Sequence, residues 1–325
     1  FMIENMKDNL AYKLYMEKNK IDDQNDETLK KFIERYKKYR HDWYNEADYQ
    51  YNLDINFEND FNKISNPLCL DIEIAAICDL ACPHCFREHI ITPDKIMVES
   101  MFYQIIDSVS DLEIPSIKLN WRGEPLLNPK ISNFIKYAKE NKILDVVINT
   151  NATQLDKKTS IKLIESGLDQ IIFSFDGGTE KTYNAMRPGR FKENKFKDVY
   201  ENIKQFNEIR NELNSKFPTT KIQMVLTEDT RGEIESFYNL FNDIVDDVTV
   251  IQYNERGGEI SSLKDSNQKQ IKEFLKNNEK SENTPFMVTA DDEIFISKAR
   301  KPCEQLFQRL MITYDGKVGM CCHDW

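Results

Sequence analysis

The sequence lacks any apolar run approaching the roughly 20 residues that a membrane-spanning helix needs, so no membrane span is expected. Its opening stretch, 1–19, carries charges throughout where a signal peptide would have an apolar segment, and a cytoplasmic location is the expectation. Cations are the minority charge: Lys and Arg number 44 against 55 Asp and Glu, a net charge of −11. A phosphate-tracking surface needs clustered Lys and Arg, so general nucleic-acid binding is not expected. The short run Lys37, Lys38, Arg40 and His41 reads as a solvated face. Cysteine is sparse and uneven, seven in 325 residues with none between Cys85 and Cys303. Without an export signal, such a distribution points to metal chemistry and away from a disulfide framework.

Three of those cysteines stand within eight residues, as Cys78-Asp-Leu-Ala-Cys82-Pro-His-Cys85. A tetrahedral zinc site or a cubane iron–sulfur cluster needs four ligands. Two completions are open. His89 could close a Cys3His zinc site, or a cubane could be held by three thiols with one iron left open to a small molecule.

With 40% hydrophobic residues the chain can bury a large core. Residues 1–66 are polar, with one amphipathic helix predicted over 27–44, where Leu29, Phe32, Ile33, Tyr36 and Trp43 share a face. That helix is expected to cover one end of the main domain. From 67 onward strands and helices alternate. Strands are predicted at 68–77, 116–121, 145–150, 170–175, 221–226 and 247–253. Helices are predicted at 98–109 and 130–140, and around Ile161 and Ile164 up to Gly167. Further helices carry Phe196, Val199, Ile203 and Phe206, and then Ile234, Phe237, Phe241 and Ile244. Six strand–helix units of this kind predict an α/β fold with a parallel sheet.

In parallel α/β folds the chemistry sits at the carboxyl ends of the strands. Those ends hold the three cysteines, Arg122-Gly123-Glu124-Pro125, Asn149-Thr150-Asn151, Ser174-Phe175-Asp176-Gly177, and Gln252-Tyr253-Asn254. Ligand-grade residues recur along one edge, which a zinc knuckle bracing a local turn does not require.

Taken together, the C-x3-C-x2-C loop, Gly-Glu-Pro after the second strand and Ser-x-Asp-Gly after the fourth resemble the radical S-adenosylmethionine superfamily over 67–260. The resemblance implies a partial (β/α)6 TIM barrel with an N-terminal helical extension (1–66), a helical linker (261–302) and a small C-terminal β-hairpin auxiliary segment (303–325). It implies a [4Fe–4S] cluster on Cys78, Cys82 and Cys85, with His89 not a ligand, and S-adenosylmethionine on the open iron. Reductive cleavage would give a 5′-deoxyadenosyl radical that abstracts hydrogen from substrate. Gly123, Glu124 and Pro125 would hold the methionine ammonium, and Ser174 and Asp176 would lie near its ribose and methionine part. For Asp176 the alternative is a cap on the next helix. Arg187 would pair with the carboxylate, Arg190 being its neighbour and competitor. His84, Val225 and Tyr253 would line the adenine slot, and Asn151 would reach cofactor or substrate.

The tail is similar to the opening of a SPASM or twitch domain. Tyr314-Asp-Gly-Lys317 reads as a hairpin turn that brings Cys303 and Cys321 together. An auxiliary iron–sulfur cluster on those thiols is expected, with Cys322 a further ligand or a hydrogen donor; other ligands would come from beyond Trp325 or from His323. The function expected is an oxidoreductase acting on a sugar or nucleotide sugar, as dehydrogenase or epimerase, fed by a flavodoxin- or ferredoxin-type electron donor. A peptide-modifying maturase and a non-catalytic zinc module are the alternatives. The missing thiols between Cys85 and Cys303 favour oxidation, since an epimerase needs a hydrogen donor.

Overall fold

A computed structural model describes residues 27–51, 65–89, 92–253, 286–288, 294–296, 303–319 and 321. Its main sheet has eight strands in the order β10-β9-β1-β2-β3-β4-β5-β6. They are β1 (Cys69–Ile72), β2 (Ser116–Lys118), β3 (Asp145–Thr150), β4 (Gln170–Ser174), β5 (Thr219–Leu226), β6 (Asp247–Gln252), β9 (Arg309–Ile312) and β10 (Val318–Gly319). All neighbouring pairs from β9 to β6 are parallel, and β10 alone runs antiparallel. β6 and β10 are the edges, so the described sheet is a partial barrel that does not close.

The helices follow the predicted stripes. α1 (Glu27–Tyr51) precedes the sheet. Behind it come α2 (Glu99–Val109), α3 (Ile131–Glu140), α4 (Lys157–Glu165), α5 (Glu180–Met186), α6 (Phe196–Glu212), α7 (Glu228–Arg231), α8 (Ile234–Phe241) and α9 (Gln305–Gln308). Phe102, Phe134, Leu163, Ile203 and Phe237 pack on the outer face of the strands, against Leu70, Ile117, Val146, Ile171 and Ile222. Each such side chain, fully buried, contributes roughly 1.5–3 kcal/mol. No helix among the described residues is long and apolar enough to cross a membrane.

Several expectations are corrected. The apolar run predicted as a strand over 68–77 leaves the ladder after Ile72, because its later backbone pairs elsewhere: Met97 N donates to Ile74 O (2.9 Å) and Ala76 N to Lys95 O (2.9 Å). β2 stops at Lys118 because a side chain takes over, Asn120 Oδ1 accepting from Asn149 N (2.9 Å). The stretch 261–302, expected to be helical, holds an antiparallel strand pair, β7 (Phe286–Val288) and β8 (Ile294–Ile296), built from aromatic and β-branched residues. The rest of that stretch lies outside the described residues. Helices α5 and α7 are too short for periodicity to reveal.

The C-terminal hairpin turns at Gly316, whose φ of +83° suits glycine, with Thr313 N donating to Lys317 O (2.9 Å). It was expected as an auxiliary segment beside the barrel. Instead β9 pairs with β1 along its whole length, Cys69↔Arg309 through Ile72↔Ile312, and becomes a seventh parallel strand of the wall. α1 covers the amino-terminal ends of the strands, as expected. Leu29 and Phe32 pack on Leu144, Arg35 Nη1 donates to Lys142 O (2.7 Å), and Gln308 Nε2 donates to Trp43 O (2.6 Å).

Candidate active site

At the carboxyl ends of the strands a cavity of about 450 Å³ opens into the barrel. Cys78, Cys82 and Cys85 line it, in a loop pinned by the segment after α5: Ala81 N donates to Pro188 O (2.9 Å), Arg190 N to Asp79 O (2.8 Å), and Leu80 bridges Gly189. Gly123 must be glycine here. A Cβ would lie 2.3 Å from Ala75 O and 2.4 Å from Ile77 O, so the Gly-Glu-Pro turn seats directly on the backbone leading to Cys78.

Glu124 is buried, and its carboxylate ties its own turn to the end of β3. Oε1 accepts from Leu126 N (3.0 Å) and Thr150 Oγ1 (2.7 Å), and Oε2 from Asn151 N (2.7 Å). Burial nonetheless pushes its carboxyl up to about 7. The folded state therefore holds this proton more tightly than the unfolded chain. The associated stability is full below about pH 4.5 and is lost as pH rises through 7. The cluster-free protein should accordingly show a falling urea midpoint from pH 5 to 8. Glu124→Gln should lower the unfolding free energy at low pH, by about 1–3 kcal/mol for the mispaired donor, and flatten that slope. An unchanged slope would dissociate it from Glu124.

Asp79, which the sequence did not single out, ties the cysteine loop to the end of β3. It accepts from Asn151 Nδ2 (2.8 Å), Thr153 Oγ1 (2.6 Å) and Gln154 Nε2 (2.9 Å), and Asn151 Nδ2 also lies 3.9 Å from Cys78 Sγ. Asp176 is fully buried behind the wall and caps nothing, since Thr179 is the N-cap of α5. Its Oδ1 accepts from Val225 N (2.7 Å), while its Oδ2 faces His84 Nε2 (3.1 Å) and Arg187 Nη2 (2.7 Å). Burial alone would raise this carboxyl, but Arg187 and His84 hold it below the ordinary carboxylate range. Arg187 thus already has a carboxylate partner inside the protein.

Of the expected residues, His84, Gly123, Glu124, Asn151, Ser174, Arg187, Val225 and Tyr253 line the cavity with the three thiols. Pro125 and Asp176 stand behind it. Arg190 is engaged with Asp94 (2.6 Å) away from the lining. Cys303 is exposed and Cys321 half-buried, and neither lines the cavity. Cys322 and His323 lie outside the described residues, as does the side chain of His89. The wall also includes Asn149, named above only as part of a strand end, and Asp71, Lys118, Asn120, Gln223 and Arg309, which motif reading missed. Their signal was present as single polar residues inside apolar strands, Asp71 between Leu70 and Ile72 being one.

The donor set fits an iron–sulfur cluster with a small polar ligand beside it. Burial pushes the Cys78 thiol up to about 12, helped by the Glu124 carboxylate, and raises Cys82 as well, partly offset by Arg187. Such thiols bind a cationic centre by releasing protons. Beside them His84 Nδ1, Arg187 Nε and Asn149 Oδ1 are buried with no hydrogen-bond partner among the described residues. Unsatisfied polar atoms at a cavity wall are costly unless a ligand meets them.

Comparison with known proteins agrees with this chemistry. The probable GTP 3′,8-cyclase of Methanothermobacter marburgensis is 32% identical over 114 residues, 35% of this chain and 37% of that protein. The mycofactocin maturase MftC of Mycobacterium ulcerans is 23% identical over 172 residues, 53% of this chain and 43% of that protein. The chain thus spans under half the length of these curated relatives. Among solved structures, Streptococcus suis SuiB bound to S-adenosylmethionine superposes with a TM-score of 0.58 at 20% identity, covering 81% of this chain and 62% of that one, which is a likeness of fold. Residues 72–241, more than half of the chain, match the Radical SAM superfamily. With three thiols, a glycine-seated Glu124 turn and unsatisfied polar atoms around one cavity, the chain is a member of the Radical SAM superfamily.

Proposed function

We propose that this chain is a radical oxidoreductase that removes hydrogen from an unactivated carbon of a sugar-type substrate held in the barrel. Members of the superfamily use a [4Fe–4S] cluster and S-adenosylmethionine, which together supply reductive C–S cleavage and a 5′-deoxyadenosyl radical. The observation that carries the assignment is the convergence of Cys78, Cys82 and Cys85 with Glu124 and Arg187 on one cavity.

In this reading Cys78, Cys82 and Cys85 hold the cluster, leaving one iron open. Gly123 and Glu124 would receive the methionine ammonium, for which an ionised Glu124 is the matching partner. Asp176 orients Arg187 and His84 from behind, so that Arg187 presents its unpartnered Nε to the carboxylate and His84 borders the adenine with Val225 and Tyr253. Ser174 and Asn151 reach the ribose side. The amides of Asn120, Asn149, Gln223 and Gln252 supply donors and acceptors of the kind that hydroxyl groups use. A flavodoxin- or ferredoxin-type protein serves as electron donor, in keeping with a reaction run in a reducing compartment such as the cytoplasm. Cys303, Cys321 and Cys322 begin an auxiliary cluster site of the SPASM type.

A second reading, modification of a peptide, draws on the likeness of fold to Streptococcus suis SuiB, which has been solved bound to a precursor peptide. Anaerobic reconstitution decides the first point. The protein should take up iron and sulfide, turn brown and form 5′-deoxyadenosine from S-adenosylmethionine and a reductant. A colourless zinc protein that forms none would overturn the assignment. Faster 5′-deoxyadenosine formation with a peptide than with any sugar would select the second reading.

A further inference from the structure

We propose that the floor of the cavity, where Arg309 meets Asp71 beside Lys118, is a subsite for an anionic oxygen group, phosphate or carboxylate, on a small polar substrate. The inference rests on the proposed function, in that it takes the barrel interior as the substrate site. The three residues come from adjacent strands, Asp71 facing Lys118 across β1 and β2, and Arg309 arriving on β9 opposite Cys69. They line the cavity within the strands, whereas the three thiols belong to the loop beyond β1.

Arg309 is held in a fixed orientation with donors to spare. Its guanidinium lies over the Trp43 ring (4.9 Å), Nη1 donates to Asp71 Oδ1 (2.8 Å), and the side chain is 23% exposed. Its Nε and Nη2 have no hydrogen-bond partner among the described residues. A planar fork already clamped on one side loses little freedom when it takes an anion on the other.

Every arginine of the wall has a carboxylate partner, Arg309 its Asp71, and the others belong to the rim above the floor. Arg122 makes a bidentate pair with Glu73 (2.6 and 2.7 Å), Arg187 pairs with Asp176 (2.7 Å), and Arg87 with Asp94 (2.7 Å). At the floor, Arg309 and Lys118 share the wall with Asp71. Lys118 stands half-buried across the ladder from Asp71, on the same stretch of wall as Arg309. The neighbouring amides offer neutral contacts, and Asn149 Oδ1 is an acceptor still without a partner among the described residues. One charged end and a neutral hydrogen-bonding wall match a substrate with an anion at one end and hydroxyl or amide groups along its length.

Calorimetric titration of the full chain with glucose 1-phosphate, glucuronate and glucose tests the assignment. At least one anionic probe should bind about tenfold or more tighter than glucose, the scale of a single charge-assisted contact. Preference for glucose 1-phosphate assigns a phosphate; preference for glucuronate assigns a carboxylate. Arg309→Gln and Lys118→Gln should each remove most of that preference while leaving the weak binding of glucose unchanged. A merely structural role for Arg309 would shift the melting temperature without altering the ratio between probes. If Arg309→Gln does not fold, Lys118→Gln carries the test. The proposal is overturned if neither anion outbinds glucose, or if folded variants keep the preference. Wild-type protein that forms 5′-deoxyadenosine yet shows no anion preference would refute this subsite alone; absence of 5′-deoxyadenosine would refute the function beneath it.

Discussion

Replacing Cys82 by alanine should lower 5′-deoxyadenosine formation by more than about 100-fold, measured anaerobically after reconstitution. Changing a residue that merely supports a metal ligand already costs 10–100-fold in affinity or activity, and Cys82 is expected to be a ligand itself. Its thiol is buried on the cavity wall, with Arg187 offsetting part of the burial that keeps it protonated. Alanine removes the sulfur and leaves Cys78 and Cys85, too few to hold a cubane with only one open iron. Iron content should fall with activity, and the far-UV circular dichroism should not change, because Cys82 belongs to the loop beyond β1 and its backbone bond, Cys82 O accepting from Cys85 N (2.9 Å), is kept by alanine. Cys303→Ala, by contrast, should retain part of the uncoupled cleavage, since Cys303 is exposed and off the cavity wall. A Cys82→Ala protein with parental 5′-deoxyadenosine formation would sink the ligand assignment.

The second large effect is on stability. Lys139 of α3 has no exposed surface; its Nζ pairs with Asp169 Oδ2 and donates to Leu144 O (3.0 Å). Asp169 in turn accepts from Val146 N (2.7 Å), so one ammonium fastens α3 to the start of β3 and to the turn before β4. Lys139→Met keeps the volume and removes the charge. It strands a buried carboxylate, at a cost of about 3–5 kcal/mol in the urea-derived unfolding free energy. The deficit should depend on pH. Burial and the neighbouring Asp169 raise the Asp145 carboxyl, while Lys139 holds it down. A raised carboxyl favours the folded state below its unfolded value and ceases to do so as pH rises through the folded one. The variant should therefore lose less at pH 5 than at pH 8. An equal loss at both would mean that lost packing, not stranded charge, is responsible.

Much of the site could be read from order and spacing. Cys78, Cys82 and Cys85 followed by Gly123-Glu124 and Ser174 were legible because each set of residues ends an apolar run, and parallel strands deliver their ends to one edge. The apolar stripes by which α2, α3 and α6 pack on the sheet were legible for the same reason of period. Less legible was anything set by contacts across the chain. That Asp176 is a buried anchor for Arg187 and His84, with no cap to make, depends on three elements meeting behind the wall. Asp79 is one charged residue in a loop until Asn151, Thr153 and Gln154 are folded onto it.

The sequence by itself determined the alternation of strands and helices, the thiol loop and the polar residues at the strand ends, because side-chain period and turn chemistry are local properties. Only the tertiary structure decided that the C-terminal hairpin joins the sheet at β1, since strand pairing between residues 240 positions apart leaves no periodic trace. The same pairing decided what lies at the floor of the cavity. Arg309 is an ordinary charge in the chain, and it faces Asp71 only because β9 lies against β1 in that register.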